Sequence, residues 1–378
     1  MDNLFTINAC KTFGCRNLGL PSAADYHFPS FRLGYPALYC AACGSYPPLF
    51  NEREFRPWLA AYLTDHARRY GYFCPVCYQR DIIRYGHNPQ GTQRFQCRHC
   101  DKVWTPKLPH LAAIETPSCI CSVPLIVPFQ GNVAEQKLYI LLSFDAVRGN
   151  ILHLTSNFTP FAVGESLRYR WRGGQAASEA SDDIVQRITQ TELGFLQRSQ
   201  FDEIQYGSAT LKRNARGSIL RPVIAAHGHF KLLSQRFPEV KTHVIAHECF
   251  LRGAAIIAWA PLFRRRQGNL WYVEEKISRP ASQAPWRLQG KTHHGWWQNS
   301  WQRWMQEENQ KMICRLAGTA QESSLLPDLA ASRRFILWLK KRPAFADSAL
   351  FSAGRVTQML ASLAREYNAT LTAAAPDG

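Results

Sequence analysis

Eight of the twelve cysteines in this 378-residue chain fall into close pairs. Thiols at such spacing either form disulfides or hold a metal ion. Cys74 and Cys77 form C-P-V-C and Cys97 and Cys100 form C-R-H-C, with nineteen residues between the pairs. That is zinc-ribbon spacing: each knuckle turns two thiolates toward one ion, and two knuckles close a tetrahedral structural site. The intervening residues supply a hairpin, with DIIRYG as a strand, HNPQG as a turn and TQRFQ as the return strand; KVWTP follows as a third strand. His99 reads as a knuckle residue rather than a ligand. A looser set, Cys10, Cys15, Cys40 and Cys43, encloses a stretch with Gly19, Pro21, Pro29, Gly34 and Pro36 and predicts a second zinc ion, with His27 as a substitute ligand. The alternative for Cys74, Cys77, Cys97 and Cys100 is four free buried thiols. Cys119, Cys121, Cys249 and Cys314 read as ordinary buried thiols, although Cys119 and Cys121 are close enough to ligate.

Histidines offer a second chemistry. His227 and His229 share a face of one predicted strand and His243 and His247 a face of the next, so four imidazoles could hold a catalytic metal; buried, hydrogen-bonded histidines are the commoner outcome. Trp296, Trp297, Trp301 and Trp304 crowd beside Lys291, His293, His294 and Arg303, a mixture able to stack bases. Trp297, Trp301, Trp304 and Met305 also fit one face of a helix, which would make them core.

These residues need elements to hold them. Pro57 opens a pattern with Trp58, Leu59, Tyr62 and Leu63 on one face, a linking helix over 51–72 between two zinc modules at 1–50 and 73–106. Pro109, Pro117, Pro124 and Pro128 interrupt any long helix over 107–137, which reads as a linker or irregular strands. From Leu138, LYILLSFDAV and ILHLTSN form a hairpin around Arg148-Gly149-Asn150. A helix over Asp182–Gln200, capped by Ser181 or Asp182, packs on the sheet. PVIAA, KTHVIA and LWYVEEKI read as strands, and two helical stripes, Phe335/Ile336/Leu339 and Val356/Met359/Leu360/Leu363/Tyr367, lie near the end, before a frayed tail from Asn368. The fold class is α+β: two small zinc ribbons, a mixed α/β domain over 138–312, then C-terminal helices over 313–378.

Composition narrows the partners. With 46% apolar and 19% charged residues the chain is globular. Its formal charge of +17 favours a polyanion, and 205–303 holds sixteen Lys/Arg against Glu239, Glu248, Glu274 and Glu275. Those cations are scattered among strands and loops rather than along an amphipathic helix, so nucleic acid is favoured over lipid. The opening residues lack a signal-peptide pattern, and the longest apolar run, 253–263, is about half a membrane span. A cytoplasmic location without membrane insertion is expected.

The segment CPVCYQRDIIRYGHNPQGTQRFQCRHCDKVWTP resembles the N-terminal zinc ribbon of bacterial insertion-sequence transposases, and CKTFGCRNLGLP with YCAACG is similar to the cysteine cluster preceding that ribbon in some of them. The resemblance implies double-stranded DNA as partner, with Arg80, Arg84, Arg94, Arg98 and Lys102 facing phosphates or bases. Without it they form a basic, aromatic hairpin surface with Tyr85, Phe95 and Trp104. Arg264, Arg265 and Arg266 read either as a solvated loop or as a contact to the DNA backbone. The order of predicted elements after 138 is compatible with the RNase H-like catalytic domain of the same transposases. SFDAVRGNIL is similar to its first strand and turn, and THVIAHECFLRGAAI to the later strand and helix. That resemblance implies Asp145 and Glu248 as carboxylates for Mg²⁺, with Glu308, placed on the apolar stripe, as the third. Glu248 stands where the family carries Asp. The expected function is therefore a zinc-ribbon DNA-binding protein built like a transposase, cutting and joining DNA with Mg²⁺, or its catalytically silent alternative, a regulator or architectural factor; either is compatible with a homo-oligomer.

Overall fold

A computed structural model of the chain describes residues 7–30, 36–107, 115–130, 137–169, 183–197, 217–280, 282–294, 299–318 and 326–373. In the first cysteine module β1 (Tyr26–His27) and β2 (Tyr39–Cys40) pair antiparallel. Helix α1 (Glu52–Tyr70) follows. Asn51 caps it by accepting from the Arg53 amide, Glu52 and Glu54 lie in its first turn, and Arg68 and Arg69 in its last, all favourable to the helix dipole. Pro57 lies inside the helix rather than opening it. The helix stops at Gly71, whose φ of +69° suits glycine, and a Cβ there would meet the Pro106 ring at 2.7 Å. The second ribbon is thus held tightly against the helix end, in a three-stranded antiparallel sheet of β3 (Ile82–His87), β4 (Gln93–Cys97) and β5 (Val103–Trp104).

The main sheet has eight strands. Its elements in chain order are β6 (Cys119–Pro128), β7 (Lys137–Asp145), β8 (Ile151–Ser156), then the small ladder of β9 (Phe158–Thr159) with β10 (Ser218–Ile219) and the helices α2 (Ile184–Gln197) and α3 (Pro222–Arg236). Next come β11 (Thr242–Ala246), α4 (Cys249–Ala258), α5 (Ala260–Arg264), β12 (Asn269–Lys276), β13 (Arg287–His294), β14 (Asn299–Gln306) and β15 (Asn309–Ala317), and the chain ends in α6 (Ala330–Lys340), α7 (Pro343–Ala346) and α8 (Ala353–Ala373). Across the sheet the order is β13-β14-β15-β12-β11-β6-β7-β8. Strands β6, β7 and β8 alternate in direction, β11 runs parallel to β6, β12 parallel to β11, and β15, β14 and β13 return antiparallel.

Several sequence expectations change here. Over the proline-bearing stretch 107–137 the strand alternative holds rather than the linker at Cys119–Pro128, where β6 lies inside the sheet between β11 and β7. Pro124 and Pro128 are tolerated because β11 pairs only with Cys119 to Ser122, so the missing donors fall beyond that ladder. PVIAA opens α3 rather than a strand: Pro222 sits at the first helical position, and burial on almost every side removes the helical period from the sequence. The tryptophan stripe is strand β14, so alternation sends Trp301 and Trp304 to opposite faces. Trp301 is fully buried, stacking on Tyr272 at 6.1 Å; Trp296 and Trp297 lie outside the described residues, as do Ser181 and Asp182. Asp183 is the residue whose carboxylate accepts from the first amides of α2, at 2.7 and 3.2 Å. β15 runs to Ala317, past the expected boundary at 312.

Helix α1 belongs to the core of the main domain. Phe55, Trp58, Leu59, Tyr62, Leu63 and Ala67 are buried in the same apolar cluster as Ile140, Leu142, Ile224 and Phe230 of β7 and α3. Within that cluster a polar chain crosses the sheet face. Tyr62 Oη bonds His153 Nε2 at 2.9 Å and Thr155 Oγ1 at 2.8 Å; Thr155 meets His229 Nδ1 at 2.9 Å; His229 Nε2 meets Ser143 Oγ at 2.7 Å; and Ser143 meets Ser122 Oγ at 2.6 Å. Burial pushes His153 and His229 well below the ordinary imidazole range, so each is a neutral ring with one donor and one acceptor. No helix among the described residues is long and apolar enough to cross a membrane.

Asn368 is not part of a frayed tail. On α8, its carboxamide accepts from Ile151 N at 2.8 Å and donates to Ile151 O at 2.9 Å, imitating one rung of a neighbouring strand on the outer edge of β8. Asn368→Ala should lower stability by about 1 to 2 kcal/mol, the worth of two such bonds. A shift of the urea midpoint at unchanged slope checks this.

Candidate metal and nucleic-acid sites

Two groups of four cysteines converge. The ligand sulfurs of Cys10, Cys15, Cys40 and Cys43 lie within 4.8 Å of one another, as do those of Cys74, Cys77, Cys97 and Cys100. In the first group Cys10 and Cys43 are 3.5 Å apart and Cys15 and Cys40 3.8 Å; in the second Cys74 and Cys100, and Cys77 and Cys97, are each 3.5 Å apart. A tetrahedron with Zn–S bonds of about 2.3 Å has sulfur-to-sulfur edges of about 3.8 Å, so both groups fit zinc. All eight cysteines are free thiols.

The local backbone explains the convergence. Amides two residues on point at the sulfurs: Thr12 at Cys10, Asn17 at Cys15, Val76 at Cys74 and His99 at Cys97, at 3.4 to 3.5 Å. Such donors favour the thiolate. Burial acts the other way, raising the Cys15 thiol to about 12, whereas at Cys43 burial is outweighed by hydrogen bonds from Ser45 and Thr12, which bring it down to about 6. A cation resolves that conflict by stabilising every thiolate at once. Around the first group the Arg16–Asp25 pair, at 2.8 and 3.0 Å, and Asn17, which donates to Asp25 and Cys40, brace the loop. The module also docks on the main domain, with Ile7 and Leu18 in the large core and Gly19, at φ +64°, leaving no room for a Cβ against Ala260.

On the second ribbon Cys74, Cys77, Cys97, Phe95 and Trp104 form a small core of their own, so Phe95 and Trp104 are not part of a basic, aromatic surface. Arg80, Arg84, Arg98 and Lys102 are exposed and Arg94 half-buried. Arg94 lies over the Tyr85 ring at 5.7 Å, while register places Arg84 opposite Phe95. Five cations thus stand against Asp81 and Asp101. Arg98 and Asp81 approach only to 3.9 Å with both largely exposed, a weak pair that leaves the guanidinium available. Arg264, Arg265 and Arg266 are exposed at the end of α5, not between two strands.

The three expected carboxylates do not meet. Asp145 ends β7 level with Ile120, at the start of β6. It is buried as a turn cap, accepting from the amides of Val147 and Arg148 at 2.9 and 3.1 Å and from the Arg148 guanidinium at 3.0 Å. Glu248 precedes α4, five residues beyond His243, which is the residue level with Ile120; at about 3.3 Å per residue it lies on the order of 15 Å from Asp145 along the strands. Glu308 is exposed in the β14–β15 turn and paired with Arg279 at 2.7 Å, at the same sheet end as Glu248. Among the described residues, the two cysteine groups are the ones in which three or more His, Cys, Asp or Glu ligand atoms come together. Glu274 and Glu275 are structural, pairing with Arg187 at 3.3 Å and with Lys311 at 3.3 Å.

Nor do the four histidines converge. His227 and His229 sit on helix α3, His227 edge-on to Phe50 at 5.6 Å and His229 in the polar chain. His243 donates to the Val240 carbonyl at 2.9 Å and packs on Trp259, and His247 lies 3.4 Å from Glu192 and edge-on to Tyr272. These are core histidines. Burial brings His243 down to about 4, which keeps it neutral.

Comparison with known proteins adds one similarity. Residues 72–101 match the zinc-ribbon family described as the InsA N-terminal domain. Over 31 residues the chain is 45% identical to the insertion element iso-IS1N protein InsA of Shigella dysenteriae, which covers 8% of this chain and 34% of that protein. The chain therefore matches about a third of the length of that relative. No solved structure matches.

Protein purified without added metal should contain two zinc ions per chain by elemental analysis, and Cys77→Ser should leave one. Because binding and folding are coupled, that variant should lose protease resistance over residues 73–106 while the main domain keeps its melting transition. Zinc should be released as pH falls, since protons compete for the thiolates.

Proposed function

We propose that this chain binds double-stranded DNA through its second zinc ribbon, on a transposase-like scaffold whose expected acidic triad is not assembled. The observation that carries the reading is the ribbon itself: a zinc-fitting site of four cysteines, similar over residues 72–101 to the InsA N-terminal domain, that presents Arg80, Arg84, Arg98 and Lys102 to solvent. Exposed cations on a rigid hairpin neutralise phosphates and release counterions, the main source of affinity for duplex DNA. The triple arginine at 264–266 is a second exposed cationic point for the DNA backbone.

The strand order β8-β7-β6-β11-β12, antiparallel across the first three and parallel across the last three, supports an RNase H-like reading of the main domain. In that reading the first strand is β6, one strand earlier than LYILLSFDAV. The sequence of β6, CICSVPLIVP, contains neither Asp nor Glu, so the first carboxylate implied by the resemblance is missing from it. Two-metal phosphoryl transfer needs carboxylates grouped around ions about 4 Å apart. The positions of Asp145, Glu248 and Glu308 favour the silent alternative, a DNA-binding regulator or architectural factor.

Fluorescence anisotropy with a labelled duplex tests this. Affinity should fall steeply with salt, and Arg84→Ala and Arg94→Ala should each weaken binding and reduce the salt slope by about one. Asp145→Asn should leave affinity unchanged. Binding that ignores salt, or equal binding by the ribbon variants, would remove the ribbon from the interface.

A further inference from the structure

At the foot of the second ribbon lies a pocket of about 130 Å³ between the end of α1, strand β8 and helices α3 and α8. Arg236, Arg365, His66, His153 and Tyr72 are among its lining residues, and none of the lining residues is acidic. Arg236 is the last residue of α3 and only 8% exposed. One guanidinium nitrogen donates to the Leu152 carbonyl at 2.6 Å, and the group lies 4.2 Å over the Tyr72 ring and 4.9 Å from that of Phe237. A guanidinium carries five N–H donors; among the described residues the Leu152 carbonyl is the acceptor it meets and no carboxylate pairs with it.

A buried charge without a counter-ion is costly. Several other cations withdrawn from solvent avoid that cost in one of two ways. Buried Lys311 faces Glu275, and half-buried Arg187 faces Glu274. Lys231 has no acid partner among the described residues, but burial brings its ammonium down to about 8, so it can shed its proton. Arg236 has neither escape, because burial lowers its pKa from a value so high that a guanidinium stays charged at neutral pH. The exposed Arg365 at the rim adds a second positive charge.

We propose that this pocket binds an oxyanion of the phosphate class, with Arg236 as its charge partner and Arg365 at the mouth. The phosphate has two sources, a free anion or the backbone of DNA held by the ribbon, since Tyr72 leads within two residues into Cys74 of the zinc site; the second source rests on the DNA-binding reading. Calorimetric titration of the full zinc-loaded chain with inorganic phosphate, at ionic strength held constant with potassium chloride, should show saturable binding. Arg365→Glu should weaken it about tenfold, the worth of one charged hydrogen bond, at unchanged melting temperature. Arg236→Met should abolish it, and if that variant fails to fold, Arg365→Glu decides. Absence of saturable phosphate binding, or wild-type affinity in Arg365→Glu, overturns the proposal. If the phosphate comes from DNA, inorganic phosphate will displace a duplex beyond the effect of chloride and Arg365→Glu will weaken duplex binding; if the anion is free, duplex affinity will ignore both. Phosphate binding by a chain that binds no duplex would retain the pocket and discard the DNA-binding reading.

Discussion

The Tyr62 hydroxyl bonded to His153 and Thr155 is the interaction on which the architecture depends. It sits on the helix that links the two cysteine modules and ends inside the core of the main sheet. A hydroxyl buried there without acceptors would cost roughly 1 to 3 kcal/mol, so α1 can dock in one rotation and one axial position only. The chain from Tyr62 through Thr155, His229 and Ser143 to Ser122 extends that condition from α1 to α3 and three strands. Neutral imidazoles with one donor and one acceptor make each link dependent on the next. The ribbons are consequently attached to the domain as fixed bodies: Gly71 against Pro106 at one end of the helix, and Asn8 bonded to both backbone groups of Phe50 at the other.

What could be read from the sequence was whatever obeyed a short-range rule. Cys74, Cys77, Cys97 and Cys100 declared their site because knuckle geometry is local, and β7, β8, β11, β12, α6 and α8 followed ordinary periodicities. The failures arose where tertiary burial overrode local signals. Pro124 argues against a strand unless one knows that β11 stops pairing at Ser122. PVIAA looks like a strand because α3 is covered on nearly all sides, and Trp301 and Trp304 fit a helical stripe by coincidence of spacing. In the RNase H-like reading proposed above, β6 rather than LYILLSFDAV is the first strand, so the hairpin counted from Leu138 starts one strand late and the carboxylate chosen from it is the one that caps the β7–β8 turn.

Charge behaves in the same way. The run of cations over 205–303 suggested one basic face, yet Arg236 within it is held in the interior against aromatic rings, and Arg187, just before it, is half-buried against Glu274. Within that run Arg264, Arg265 and Arg266 at the end of α5 and Arg287 and Lys291 on β13 are among the cations that face solvent. Net charge therefore predicts the class of partner better than the surface that meets it.

The two rims of the large sheet differ in what they permit. Beside β8 the Asn368 carboxamide occupies the place of a neighbouring strand. At the other rim β13 is largely exposed, and among the described residues no strand pairs with its outer side. Growth of the sheet by recruiting a strand from another molecule can therefore proceed from one side alone. That side carries Arg287 and Lys291, with a register break between Leu288 and Gly290. Two identical copies meeting there would bring like charges together across an irregular ladder, a barrier to runaway self-association, whereas an acidic segment from a different protein would meet no such repulsion.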